Sequence, residues 1–278
     1  MMKRYFKSLY KIISLSNKQK HSHLLNKIYP DDRFLIGYPK SGNTWIRFLI
    51  GNYLTGNKCD FKNYHLIVPG IIEHPEQCGK LKRPRFMHTH ATFQSLIDNY
   101  ATCQRRYGKL VFIVRDGRDV AVSYYFHLKK HGQIDLEMKF ADYLEYFNIG
   151  KFHPGQKWGE YINKWLENNT HNENFLMIRY EDLKEDAERE LIRILRFTGL
   201  RIERNNMLSA INASDFETMR NLEKIQQEKH FRLKYSDKSI RFIRNGETNQ
   251  WKRFFNSHQL ERFFEIHGKA LNRLGYVS

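Results

Sequence analysis

The sequence predicts an α/β fold with a central parallel β-sheet flanked by helices on both faces. Short, continuously apolar runs alternate with longer segments of helical spacing, the pattern of strands linked by crossover helices. The runs read as strands buried on both faces, as parallel strands are. The turn after the first run is built for an anion, and open α/β sheets bind ligands at the carboxyl ends of their strands.

The elements follow in order. Residues 1–30 hold seven Lys/Arg and no acid, and are expected to form a basic lead-in to a single domain over 31–278. Weak membrane-surface contact through this stretch is one reading, and a solvated basic face is the other. Residues 34–38 (Phe-Leu-Ile-Gly-Tyr) read as a buried strand, and Thr44–Leu54 as a helix with Trp45, Phe48, Leu49 and Tyr53 on one side. Residues 85–88 are a short strand, 110–114 (Leu-Val-Phe-Ile-Val) the clearest one, and 120–130 a helix. A helix over 158–168, a strand over 174–178 and a helix over 183–197 come next, with Gly199 as the stop. The rest is mostly helical and ends in a helix over 259–274.

Composition narrows the function. The chain is 41% hydrophobic with 6 Pro and 16 Gly, which excludes a disordered or collagen-like protein. Its net charge of +17 asks for a polyanionic partner: nucleic acid, an anionic membrane or a phosphate-rich small molecule. No apolar stretch approaches the roughly 20 residues of a membrane-spanning helix, and no signal-peptide core is present, so a cytoplasmic protein is expected. Cys59, Cys78 and Cys103 are too few and too widely spaced for a disulfide framework or a zinc site, and read as reduced thiols.

Three places carry chemistry. After the first strand come Pro39, Lys40, Ser41, Gly42, Asn43, Thr44 and Trp45. A helix N-terminus there offers free N–H groups and a positive dipole end, Lys40 adds a charge, and Ser41, Asn43 and Thr44 add donors. An ordinary capped strand–helix connection is the competing reading. The loop lacks the G-x-x-x-x-G-K-[ST] pattern, which disfavours a metal-dependent NTPase or kinase. After strand 110–114 come Arg115, able to fork onto phosphate, and Ser123 on the following helix; Arg118 with Asp119 reads as a salt-bridged turn. His88 and His90 stand two apart in an extended segment, so they face the same way. From the residues alone a metal pair and two surface histidines are the readings, the chain having 13 histidines.

The string Y-P-K-S-G-N-T-W after an apolar strand resembles the 5′-phosphosulfate loop of the sulfotransferases that use 3′-phosphoadenosine 5′-phosphosulfate (PAPS), usually Y-P-K-S-G-T-x-W. R-D-G-R-D-V-A-V-S-Y is similar to that family's 3′-phosphate motif, with Arg115 and Ser123 at the phosphate-binding positions. P-R-F-M-H-T-H is similar to P-R-x-x-K-T-H, which implies His90 as catalytic base and puts His88 where lysine is usual. Tyr180 in Y-E-D-L and Phe216 in S-D-F-E-T-M align with adenine contacts, Phe216 and Trp45 forming a sandwich. Phe242-x-Arg244-Asn245-Gly246 resembles F-x-R-K-G, with Asn245 in place of Lys.

The resemblance therefore implies a P-loop-like sheet, PAPS as cosubstrate, PAP as product and no metal. Lys40 would stabilise the leaving phosphate oxygen, and Ser41, Gly42, Asn43, Thr44, Trp45, Arg115, Ser123, Tyr180, Phe216, Phe242, Arg244, Asn245 and Gly246 would hold the nucleotide. The acceptor would be a small molecule, met by residues of 55–83 and 130–157. Tyr64, His65, His131, Phe147 and Phe152 are candidates, with core packing the competing expectation for each aromatic. A nucleotide kinase or NTPase and a basic nucleic-acid-binding protein are the alternatives. The latter wants a basic stripe interleaved with exposed aromatics, which the sequence does not display, so no nucleic-acid partner is expected.

Overall fold

The structure is a computed structural model that describes residues 29–100, 108–228 and 231–276. Residues 1–28 of the basic lead-in, and Cys103, lie outside the described residues. In chain order the elements are β1 (Arg33–Ile36), α1 (Asn43–Thr55), α2 (Tyr64–Ile67), α3 (Pro75–Lys80), β2 (Phe86–Thr89), α4 (Phe93–Tyr100), β3 (Lys109–Val114), α5 (Gly117–Lys130), α6 (Phe140–Asn148) and α7 (Trp158–Glu167). They continue with β4 (Phe175–Arg179), α8 (Tyr180–Glu185), α9 (Ala187–Thr198), α10 (Arg204–Ala213), α11 (Phe216–Gln226), α12 (Phe231–Lys234), a 3₁₀ turn (Gln250–Arg253) and α13 (Ser257–Arg273).

The four strands form one parallel sheet in the order β2-β1-β3-β4. Alternate residues of the inner strands enter different cores. Phe34, Ile36, Phe112 and Val114 pack on one face with α5, α6, α7 and α13, among them Val120, Tyr143, Trp158 and Phe263. Leu35, Val111, Ile113 and Ile178 pack on the other with residues of α1, α9 and α10, among them Ile46, Leu191 and Met207. Each such buried aliphatic or aromatic side chain contributes about 1.5–3 kcal/mol. Because both faces are covered, the inner strands are apolar without alternation. Edge strand β4 is only half-buried. The outer side of β2 is closed by residues 69–71: His88 N–H donates to the Pro69 carbonyl (2.8 Å) and Ile71 N–H to the His88 carbonyl (2.9 Å). At the foot of β1 and β2, Asp32 and Arg85 form a buried ion pair, with Arg85 Nε 2.8 Å from Asp32 Oδ1.

The element boundaries shift where side chains take over backbone groups. β1 stops at Ile36 instead of Tyr38, because the next carbonyls are spent elsewhere: Gly37 O receives His90, and Tyr38 O receives Ser41 N–H (3.2 Å) and the Asn43 amide (2.9 Å). α5 starts three residues earlier than expected, capped by Asp116, whose side chain accepts Arg118 N–H. The single helix expected over 183–197 is two helices broken at Asp186, which caps α9 by accepting Arg189 N–H (2.8 Å). α13 starts at Ser257 because Asn256 and Gln259 form a capping box.

Candidate active site

The loop between β1 and α1 is curled by two left-handed residues, Lys40 (φ 71°) and Gly42 (φ 108°). A Cβ on Gly42 would lie 2.7 Å from the Tyr180 ring, so the position takes only glycine. No side chain caps α1, which removes the capped-connection reading. Its first N–H groups are open to an anion, and the Ser41 hydroxyl is buried with no hydrogen-bond partner among the described residues. Asn43 departs from the expected donor role. Its amide is spent on the Tyr38 carbonyl, so the side chain stitches the loop instead of reaching outward. Thr44 and Trp45 are half-buried in the first turn, and Trp45 meets Tyr180 edge-on at 5.6 Å.

A second cationic group comes from the end of β3. Arg115 is 5% exposed, lies over the Tyr180 ring (4.2 Å) and donates from Nη2 to the Glu247 carbonyl (2.7 Å). Its Nε is buried with no hydrogen-bond partner among the described residues. The expected Arg118–Asp119 turn is partnered differently. Arg118 pairs with Asp116 (2.7 Å), while Asp119, in the first turn of α5, stands 3.6 Å from Arg115, which follows the end of β3. Ser123, four residues after Asp119 on α5, shares its face of the helix and is half-buried.

The segment after α12 closes the group. Lys40 Nζ lies 4.7 Å from the Phe242 ring centre, and Arg244 stacks on Phe126 (4.3 Å) and bonds the Gln250 side chain. Tyr180 Oη donates to the Gly246 carbonyl (3.2 Å). Gly246 (φ 65°) lies flat against Phe216, where a Cβ would come within 2.6 Å of the ring. Asn245 turns its amide onto Glu247 (2.8 Å), and the Phe216 ring lies near Arg220 and Lys184. The cations crowd one another. Burial, then Arg115 and Arg244, lower the Lys40 amine from 10.5 to about 8, with Glu223 opposing. Burial and Arg115 bring Arg244 to about 10. Buried like charges are costly, so this cluster, with its unpartnered serine and arginine donors, fits a group carrying several negative charges.

The histidines lie next to this loop. His90 Nδ1 is 2.6 Å from the Gly37 carbonyl. A carbonyl only accepts, so Nδ1 carries the proton and Nε2 keeps its lone pair. Burial, then His153, push His90 down to about 4, against the pull of the Gly37 carbonyl; it is neutral at pH 7. His88 is 2% exposed and meets His90 edge-on with ring centres 4.4 Å apart. The shared facing of i and i+2 thus holds.

A family model described as "Sulfotransferase domain" matches residues 30–275. This chain belongs to the sulfotransferase family. It is 28% identical over 252 residues to sulfotransferase 1 family member D1 of Rattus norvegicus, covering 87% of this chain and 84% of the relative. Its fold is similar to that of mouse sulfotransferase SULT7A1 complexed with PAP, with a TM-score of 0.73 at 23% identity, covering 92% and 90% of the two chains. It is also similar to retinol dehydratase in complex with androsterone and inactive cofactor PAP, with a TM-score of 0.70 at 19% identity over 92% and 85%.

In this sulfotransferase, sequence reasoning missed His153. Its exposed ring is 5.9 Å from His90, yet it sits in a loop without periodicity and only the fold brings it there. Of the acceptor-side candidates, Phe147 is core against Phe263, and Tyr64 packs with Phe48 and Phe61. His65 faces His74, and His131 faces His127. Phe152 packs on Tyr124 and Tyr143, next to His153 in sequence. Cys59 and Cys78 are buried free thiols raised to about 12 by burial. No group of three metal-ligating side chains occurs among the described residues, and no described helix is long and apolar enough to cross a membrane.

Proposed function

We propose that this sulfotransferase takes PAPS as cosubstrate, releases PAP and sulfates a hydroxyl or amine of a small-molecule acceptor, in the cytoplasm. One observation carries the reading: the cation cluster of Lys40, Arg115 and Arg244 is joined to a neutral His90 through the Gly37 carbonyl at the base of the same loop. The PAP in the solved mouse neighbour, and the PAP and androsterone in the retinol dehydratase neighbour, support it.

The Ser41 hydroxyl and the open N–H groups of Gly42, Asn43, Thr44 and Trp45 would hold the 5′-phosphate. Arg115, Ser123, Arg244 and the backbone of Asn245 and Gly246 would hold the 3′-phosphate, and Trp45, Tyr180, Phe216 and Phe242 the adenosine side. PAPS supplies the sulfuryl group. His90 Nε2 takes the acceptor proton, and Nδ1–H stays on Gly37 so the ring keeps its orientation. Lys40 neutralises charge that grows on the leaving phosphate oxygen. His88, packed edge-on to His90, supports that ring where the family usually carries lysine. Fixed cations perform the neutralisation, so the scheme needs no metal.

The test is transfer of radiolabelled sulfate from PAPS to a panel of phenols, alcohols, amines and glycans. His90→Ala is expected to cut transfer by about 10²–10⁴-fold and leave PAP binding within twofold. Wild-type turnover in that variant removes His90 as base; failure of wild type to bind PAP removes the cosubstrate.

A further inference from the structure

The segment that carries Arg244, Asn245 and Gly246 has no regular secondary structure and is half-exposed. Both of its ends are nevertheless held by buried carboxylates from different helices. Glu223 of α11 accepts Phe242 N–H with Oε1 (2.6 Å) and Ile243 N–H with Oε2 (2.8 Å). Asp119 of α5 accepts Asn249 N–H with Oδ2 (2.8 Å) and Trp251 N–H with Oδ1 (3.0 Å). Glu223 is 6% exposed and Asp119 fully buried.

The two ends repeat one design. Each carboxylate uses both oxygens on main-chain N–H groups, and each stands near a buried cation that donates to main-chain carbonyl oxygen within the segment or just before it. Lys130 Nζ lies 3.9 Å from Glu223 and donates to the carbonyls of Asp237 (2.9 Å) and Ile240 (2.6 Å). Arg115 Nη2 lies 3.6 Å from Asp119 and donates to the carbonyl of Glu247 (2.7 Å). Burying an ion pair is costly, and apolar packing covers a segment more cheaply. What paired, two-oxygen contacts add is direction: they set which way residues 244–246 face.

We propose that Glu223 and Asp119 are paired positioning residues that pin the two ends of the 242–251 segment and thereby set the protein's preference for a 3′-phosphorylated nucleotide. The inference rests on the cosubstrate reading above. It makes a prediction that charge alone does not. Glu223 is an anion beside the Lys40 cluster, so deleting its charge would tighten an anionic ligand if only charge mattered. Positioning demands the opposite.

The test is calorimetric binding of PAP and of 5′-AMP, which lacks the 3′-phosphate, to wild type, Glu223→Gln and Asp119→Asn, with thermal melting as the check on folding. Glu223→Gln is expected to weaken PAP about tenfold and to change 5′-AMP less than twofold; Asp119→Asn is expected to move the ratio the same way. PAP binding that tightens, stays unchanged or falls equally with 5′-AMP in a folded variant overturns the proposal. Should Glu223→Gln not fold, Asp119→Asn reads the same ratio from the other end. Wild type that binds PAP no better than 5′-AMP overturns the cosubstrate reading itself, and the positioning role with it.

Discussion

Nucleotide affinity is expected to fall as pH rises through about 8, and Lys40 is the reason. Burial first, then Arg115, Arg244 and Lys130, lower its amine to about 8, with Glu223 the opposing charge. The direction follows from the lowered value. Below 8 the amine is charged and attracts the nucleotide; above 8 the free protein carries it neutral, and binding must first recover a proton. With a value of about 8 the charged fraction is about 0.9 at pH 7, about 0.5 at pH 8 and about 0.1 at pH 9. The dissociation constant for PAP should therefore rise about tenfold from pH 7 to pH 9. Arg244, at about 10, keeps its charge over that window. PAP itself is about nine-tenths ionised at pH 7 and more so above it, since phosphate monoesters titrate near 6. Calorimetry in two buffers of different ionisation enthalpy should find uptake of about half a proton per PAP at pH 8. Lys130, lowered by burial and supported by Glu223, faces the same cluster, so Lys40→Met is the control: weaker at pH 7 and flat from 7 to 9. A flat wild-type profile, or a slope that survives in Lys40→Met, refutes the reasoning.

Other expectations follow from single contacts. The acid limb of kcat/KM set by His90 should lie near pH 4, because burial and His153 depress the imidazole; a limb at 6–7 in wild type contradicts that environment. Asn245→Lys should tighten PAP roughly three- to tenfold by adding a cation beside the 3′-phosphate, and unchanged affinity would show that the side chain points elsewhere in the bound state too. Gly246→Ala should weaken PAP at least about tenfold, since a Cβ meets the Phe216 ring at a positive φ; wild-type binding would mean the ring yields freely. Arg85→Met leaves Asp32 buried and unpaired, and denaturant unfolding should show a loss of about 3–5 kcal/mol. A loss under about 1 kcal/mol would indicate that water reaches Asp32.

The local patterns of this chain specify a good deal without a structure. The apolar runs read at 34–38 and 110–114 become the inner strands, buried on both sides, while those at 85–88 and 174–178 become the edge strands, β4 only half-buried. The turn from Pro39 to Trp45 is legible because a lysine, a glycine and hydroxyl residues meet at a helix start right after an apolar strand, in the string Y-P-K-S-G-N-T-W. Arg115 and Lys40 could be picked out because each sits at the carboxyl end of a strand or just beyond one, and His90 through the resemblance of its P-R-F-M-H-T-H string.

Other features depend on groups that are distant in sequence, and no local pattern encodes those. The protonated nitrogen of His90 is decided by a carbonyl 53 positions away. Asp119 pairs with Arg115 and the 249–251 backbone rather than with its neighbour Arg118, and Asn43 and Asn245 spend their amides inside their own loops. Glu223 gains its role only when the fold brings the N–H groups of Phe242 and Ile243 to it. The net charge of +17 divides in the same way. The sequence by itself determined that an anion is sought and which loops seek it. Only the tertiary structure decided which cations converge, because desolvation and like-charge crowding act between residues that the chain keeps far apart until it folds.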